Sequence, residues 1–217
     1  MTSYINEKQV TPLCEIMGRC GSDKGSVNIG TSWHNYTTVY HSIFHSMREM
    51  NLRVFELGLG TNNVNIPSNM SANGTPGASL YGWAEFFANS TIFGADIDRD
   101  ILFNTDRIRT FYCDQTNATS IEQMWSDPQL QEGFDIIIED GLHTFHANKC
   151  FFENSIHKLR PNGYYIIEDI SHTELHLFES QMKIWTSMHN NCSFDLLRIP
   201  SKVNRHDNNL LVIHKQA

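Results

Sequence analysis

The sequence has no apolar run near the roughly 20 residues that a membrane-spanning helix requires, so no membrane association is expected. It also has no cluster of Lys and Arg. Its 217 residues carry 16 Lys and Arg against 24 Asp and Glu, a formal charge of −8. Phosphate-binding surfaces need concentrated positive charge, which argues against nucleic acid as the main partner. The first ten residues, MTSYINEKQV, lack a basic stretch followed by an apolar one, and we expect neither a signal peptide nor an extracellular location. Cys14, Cys20, Cys113, Cys150 and Cys192 form no C-x-x-C pair. Free thiols in a reducing cytoplasm suit this odd, scattered set better than a zinc site or a disulfide framework. No repeat, low-complexity tract or linker divides the chain, and its length suits one domain with a substantial core.

What is present is a rhythm of short apolar runs and polar helical stretches. Residues from about Thr11 to Met50 carry apolar side chains at helical spacing, broken by Gly-Ser-Asp-Lys-Gly at 21–25. We read 1–50 as an N-terminal helical cap belonging to the same domain as a core at 51–217. Strands are predicted at Leu52–Leu57, Thr91–Ala95, Ile108–Cys113, Phe134–Ile138 and Tyr164–Ile167, each apolar enough for burial on both faces. Helices are predicted at Ser79–Ala88, Ile121–Ser126, Thr144–Leu159 and Thr173–His189. Phe194–Ile199, a polar turn at Asn204–Asn209 and Leu210–His214 then read as an antiparallel hairpin. The expected architecture is α/β and Rossmann-like: a mostly parallel seven-stranded sheet, a terminal antiparallel hairpin, and helices on both faces.

Ligands of such sheets bind at the carboxyl ends of the strands. Glu56-Leu57-Gly58-Leu59-Gly60 closes the first strand, and Gly58 and Gly60 let backbone approach a ligand where a Cβ would clash. Asp96 ends the second strand, where a carboxylate can accept from both ribose hydroxyls, with Asp98 as its close competitor. Asp114-Gln115 follows the third and can receive an adenine amino group. The segment after Gly60 is a long Asn-rich loop, 61–77, rather than a helix start. A pyrophosphate would lack the helix N-terminus it normally uses, which favours a nucleoside ligand without phosphates.

The fourth and fifth strands deliver Asp140 and the pair Glu168-Asp169. Neighbouring strands lie about 4.8 Å apart, so these carboxylates converge, and repulsion and desolvation make a hard divalent cation their natural partner. His143, three residues past Asp140, faces the same cleft and suits a general base. Glu139, if still extended, points the other way. The pairs His143 with His146 and His172 with His176 have metal-ligand spacing. The stretch Trp33-His34-Asn35-Tyr36 to Tyr40-His41 fits either a lid over the site or the packed face of a helix.

With those residues in hand, the sequence resembles the class I, metal-dependent sugar and macrolide O-methyltransferases. The likeness runs from about Gly21 to Ile213 and rests on an ordered set. That set comprises Gly-Ser-Asp-Lys-Gly at 21–25, His34-x-Tyr36, Glu56-x-Gly58-x-Gly60, Pro76-Gly77-Ala78-Ser79-Leu80, Gly94-Ala95-Asp96-Ile97, Asp114-Gln115, Asp140-Gly141-Leu142-His143 and Glu168-Asp169. The resemblance implies S-adenosylmethionine as methyl donor, lined by Glu56, Gly58, Ser79, Asp96, Asp114 and Gln115. It also implies Mg2+ or Mn2+ held by Asp140, Glu168 and Asp169, with His143 as base. Glu139 stands where such proteins often have Asp, and only a short segment precedes the core where the macrolide enzymes carry an auxiliary domain. From that we expect a small hydroxyl acceptor, a sugar or sugar nucleotide, rather than a macrolide; homo-oligomerisation is left open. Two rival readings are a non-haem metal oxygenase using His143, a second histidine and a carboxylate, and a non-catalytic S-adenosylmethionine-binding module.

Overall fold

The computed structural model describes residues 10–25 and 33–217; the parts of the 1–50 cap at 1–9 and 26–32 lie outside them. Thr11 caps the first helix, α1 (Pro12–Cys20), by accepting from the Cys14 N–H, with Pro12 at the position where a missing N–H matters least. A second helix, α2 (Tyr36–Phe44), completes the described cap. The core then runs β1 (Arg53–Leu57), α3 (Ala78–Phe86), β2 (Thr91–Asp96), β3 (Ile108–Tyr112), α4 (Ala118–Trp125), β4 (Phe134–Glu139), α5 (Phe145–Glu153), β5 (Leu159–Ile167), α6 (Leu175–Met188), β6 (Cys192–Arg198) and β7 (Asn209–Lys215).

The seven strands form one sheet in the order β3-β2-β1-β4-β5-β7-β6. Only β7 runs antiparallel, paired to β5 on one side and β6 on the other. Strand alternation sends Val54, Ile92, Ile136, Ile138 and Ile166 into one apolar cluster, which also contains Leu13, Met17, Tyr36, Tyr40 and Trp83 from α1, α2 and α3. Phe55, Leu57, Phe93, Ile137, Tyr165 and Ile167 enter the other cluster, under α4, α5 and α6. The described cap and the sheet therefore share a core. The same parity turns Glu56 towards α3, where it meets Trp83, and Glu139 towards the opposite face.

Several element ends differ from expectation for local reasons. Helix α4 starts three residues early because Asn117 accepts from the Thr119 and Ser120 N–H groups. Helix α5 stops at Glu153, where the Asn154 amide donates to the Cys150 carbonyl, and β5 begins at Leu159 rather than Tyr164. The early part of β5 includes Pro161-Asn162-Gly163, with Asn162 at φ 64° and a register shift against β4, a bulge that apolar periodicity does not reveal.

Two glycines position the site. Gly58 has φ +89°, and a Cβ there would lie 1.8 Å from the Asp140 carbonyl oxygen, so the loops after β1 and β4 can touch only through glycine. At Gly25 a Cβ would lie 2.0 Å from Thr37 Oγ1, and this close approach seats the turn after α1 against α2.

Candidate active site

A cavity of about 310 Å³ opens along the carboxyl edge of the sheet. On the β1–β3 side it is lined by Gly58, Gly60, Ser79, Asp96, Asp114 and Gln115, and on the β4–β5 side by Asp140, His143, Glu168 and Asp169. Loop residues Ile66, Pro67, Ser68 and Met70 also line it, and the Ser68 hydroxyl donates to the Leu142 carbonyl across the cavity at 3.0 Å.

On the β1–β3 side the polar groups are fastened by backbone. Asp96 Oδ2 accepts from the Leu59 N–H at 2.7 Å and Oδ1 from the Asp98 N–H at 2.8 Å, which fixes the glycine turn against β2. Burial pushes the Asp96 carboxyl up, against the pull of those N–H groups. Gln115 spans two loops: Oε1 accepts from the Leu142 N–H at 2.6 Å, and Nε2 donates to Glu139 at 2.7 Å. Asp114 Oδ1 accepts from the N–H and the hydroxyl of Thr116.

Two residues expected in the donor pocket do not line the cavity. Asp98 caps the turn at Arg99–Ile101 through the Asp100 N–H and accepts from the Thr61 hydroxyl, because a short acidic side chain after a strand readily bonds its own downstream backbone. Glu56 is fully buried and accepts from the Ser79 hydroxyl at 2.6 Å and from the Trp83 indole. It acts from behind Ser79 rather than as part of the wall.

The β4–β5 side is fastened by side chains. Asp140 divides its oxygens: Oδ2 accepts from the Lys24 ammonium at 2.5 Å, and Oδ1 lies 3.1 Å from His143 Nε2. Glu168 accepts from Lys24 at 2.8 Å and from the Tyr40 hydroxyl at 2.6 Å. Asp169 accepts from the Tyr36 hydroxyl at 2.6 Å and faces His34 Nδ1 and His143 Nδ1, each at 3.5 Å. His143 and Asp169 both hold left-handed backbone, at φ 56° and 54°, a strain that concentrates at functional sites.

The charges answer to one another. Burial works against a charged His143, but Asp169 and Asp140 outweigh it and hold the imidazole up at about 10. Burial also opposes ionisation of Asp140, yet Lys24 and His143 hold it well below the usual carboxylate range. Burial raises Glu168 and Asp169 despite their cationic neighbours. Glu139, turned the other way, is pushed by burial to about 7, with one carboxylate oxygen lacking a hydrogen-bond partner.

Donor atoms of Asp140, His143 and Asp169 lie within 4.8 Å of one another. Two carboxylates and an imidazole form a donor set that fits Mg2+ or Mn2+. Glu168, expected as the third carboxylate ligand, stands beside this group with both oxygens on Lys24 and Tyr40. Among the described residues, His146, His172 and His176 join no metal-holding group, and a second histidine is absent from this one. The Trp33–His41 stretch supplies a packed helix face whose tyrosines also reach the site. Lys24, Tyr36 and Tyr40 went unassigned in the sequence. The signal present was a lysine between turn residues, followed by two tyrosines one helical turn apart.

No protein-family model matches the chain. It is 29% identical over 158 residues to 8-demethyl-8-(2-methoxy-alpha-L-rhamnosyl)-tetracenomycin-C 3'-O-methyltransferase of Streptomyces olivaceus, covering 73% of this chain and 36% of that protein. To demethylmacrocin O-methyltransferase of Streptomyces fradiae it is 28% identical over 178 residues, covering 78% and 42%. The chain thus spans well under half the length of these curated relatives. Among solved structures, the MycE methyltransferase of the mycinamycin biosynthetic pathway, in complex with Mg and SAH, superposes with TM-score 0.72 at 24% identity, over 96% of this chain and 55% of that one. The chain has the class I S-adenosylmethionine-dependent methyltransferase fold and resembles the sugar and macrolide O-methyltransferases.

Proposed function

We propose that this chain is an S-adenosylmethionine-dependent, divalent-metal-assisted O-methyltransferase acting on a hydroxyl of a sugar or related small molecule. The observation that carries the reading is one continuous cavity that joins a backbone-fastened end, suited to a nucleoside, to an acidic end with an imidazole beside two carboxylates. In this reading Gly58, Gly60, Ser79, Asp96, Asp114 and Gln115 hold the donor, with Glu56 bracing Ser79 from behind. Asp140 and Asp169 would hold the cation, with a re-aimed Glu168 completing the protein ligands and His143 left free for the proton. Bound there, Mg2+ or Mn2+ would orient and acidify the acceptor hydroxyl.

A cation on Asp140 and Asp169 would offset the two carboxylates that hold the imidazole proton, and the neutral His143 would then take the hydroxyl proton on a ring nitrogen as the oxygen attacks the methyl group. S-adenosylmethionine, when bound, would supply the methyl group, the new O–C bond replacing the C–S bond of the donor with S-adenosylhomocysteine as the other product. Tyr36 and Tyr40, fully buried, hold Asp169 and Glu168 in place for this. Ordering the two reactants in line supplies much of the rate. A sugar hydroxyl is the acceptor that the names of the relatives support, and a sugar nucleotide is the form of it we favour. A cytoplasmic setting fits five free cysteines and the finding that no described helix is long and apolar enough to cross a membrane.

The test is methyl transfer to a panel of glycosides and sugar nucleotides followed by mass spectrometry, with Mg2+ and with EDTA. A product 14 mass units heavier, formed only with metal, is expected; metal-independent turnover would remove the metal from the reaction.

A further inference from the structure

Lys24 belongs to the acidic end, yet neither the donor pocket nor the base chemistry uses it. Its side chain is 2% exposed, and Nζ lies 2.5 Å from Asp140 Oδ2, 2.8 Å from Glu168 Oε2 and 3.4 Å from Glu56 Oε1. The ammonium donates hydrogen bonds to Asp140 and Glu168, and Glu56 completes the ring of carboxylates as an ion pair. The backbone is fixed as well: the Lys24 carbonyl accepts from the Thr37 N–H at 3.2 Å, and Gly25 packs on Thr37 without room for a Cβ. This carboxylate cage holds the Lys24 pKa well above its ordinary value although burial alone would lower it.

The position is as informative as the contacts. Glu56 belongs to the donor side through Ser79, whereas Asp140 and Glu168 belong to the acidic end, so the ammonium bridges the two. Three carboxylates, Glu56, Asp140 and Glu168, face this one lysine, and Asp169 faces His143 instead.

We propose that Lys24 is a positioning residue for the metal site: a fixed internal counter-charge that occupies Glu168 and the inner oxygen of Asp140, leaves Asp140 Oδ1 for the cation, and weakens cation binding. The inference rests on the metal reading above, and extends it to what sets metal affinity and ties that site to the donor side. A like charge a few ångströms from the cation opposes its binding, and removal of that charge tightens it. A lysine that served packing alone would act in the opposite direction, because its loss would loosen Asp140.

The test is Mn2+ titration of the full chain by calorimetry and electron paramagnetic resonance, without donor or acceptor. Lys24→Met is expected to bind Mn2+ at least about tenfold more tightly than the parent, and Lys24→Arg, which keeps the charge, to remain within about threefold of it. Because Lys24→Met leaves buried carboxylates unpaired, it is paired with a charge-compensated variant. Lys24→Met/Glu56→Gln should bind Mn2+ more tightly than Glu56→Gln alone. Unchanged or weaker Mn2+ binding on loss of Lys24 in either background overturns the proposal. Absence of Mn2+ binding in every variant overturns it together with the metal reading. Failure to bind S-adenosylhomocysteine with the Mn2+ effect intact overturns the methyl-transfer reading alone.

Discussion

The two sides of the cavity are built by different means. On the β1–β3 side Asp96 is held by main-chain N–H groups from its own turn and the neighbouring loop, whereas on the β4–β5 side every carboxylate is held by an ammonium, an imidazole or a phenol. Backbone fastening does not depend on which side chains the donor residues carry, so it gives a fixed cradle for a ligand of constant shape. Side-chain fastening by groups on the turn after α1 and on α2 gives an acidic cluster whose charge balance can be reset when a cation arrives. The first arrangement suits a cofactor and the second suits chemistry.

Removal of parts from each side sharpens this contrast. The largest effect should follow Asp169→Ala, with turnover falling on the order of 10³-fold while S-adenosylhomocysteine affinity by calorimetry stays unchanged, since a metal's charge stabilisation is worth several kcal/mol. His143→Ala should lower kcat by roughly 10²- to 10⁴-fold, again sparing cofactor affinity. A comparable loss of cofactor binding in either variant would break the division between the sides.

On the other side, Asp96→Ala leaves the Leu59 and Asp98 N–H groups without their acceptor. It should weaken S-adenosylhomocysteine binding and lower stability in urea by about 1–3 kcal/mol, with Mn2+ affinity untouched. Tyr40→Phe should be milder, about 1–2 kcal/mol, and visible chiefly in the metal-free protein, where Glu168 depends on that hydroxyl.

The smallest effect is a pH slope. Burial raises Glu139 to about 7 in the folded protein, above the unfolded value of 4.5. The folded state therefore binds the extra proton, and its contribution is complete below about pH 4.5 and is lost as pH rises through about 7. Melting temperature of the metal-free protein should fall more steeply between pH 5 and 7.5 (roughly the window spanning both values) than that of Glu139→Gln. Parallel curves would mean that Glu139 keeps an ordinary pKa.

The same contrast explains what was legible in the sequence. Apolar strands ending in Asp96, Glu139-Asp140 and Glu168-Asp169 announced the sheet and its ligand edge, because buried parallel strands write themselves as unbroken apolar runs. The hairpin was equally clear, although not that β7 inserts between β5 and β6. Glu56 and Asp98, expected in the wall of the donor pocket, do not line the cavity, because strand parity sends Glu56 behind the wall and a local turn captures Asp98. Lys24 was illegible as a site residue because its partners lie 32, 116 and 144 positions away, and no local pattern encodes a contact of that range.

The most direct measurement is calorimetric titration of S-adenosylhomocysteine into the chain in EDTA. A donor pocket fastened by backbone should bind the product cofactor at one site per chain without metal. Absence of binding in EDTA and in Mg2+ would contradict the account at its centre.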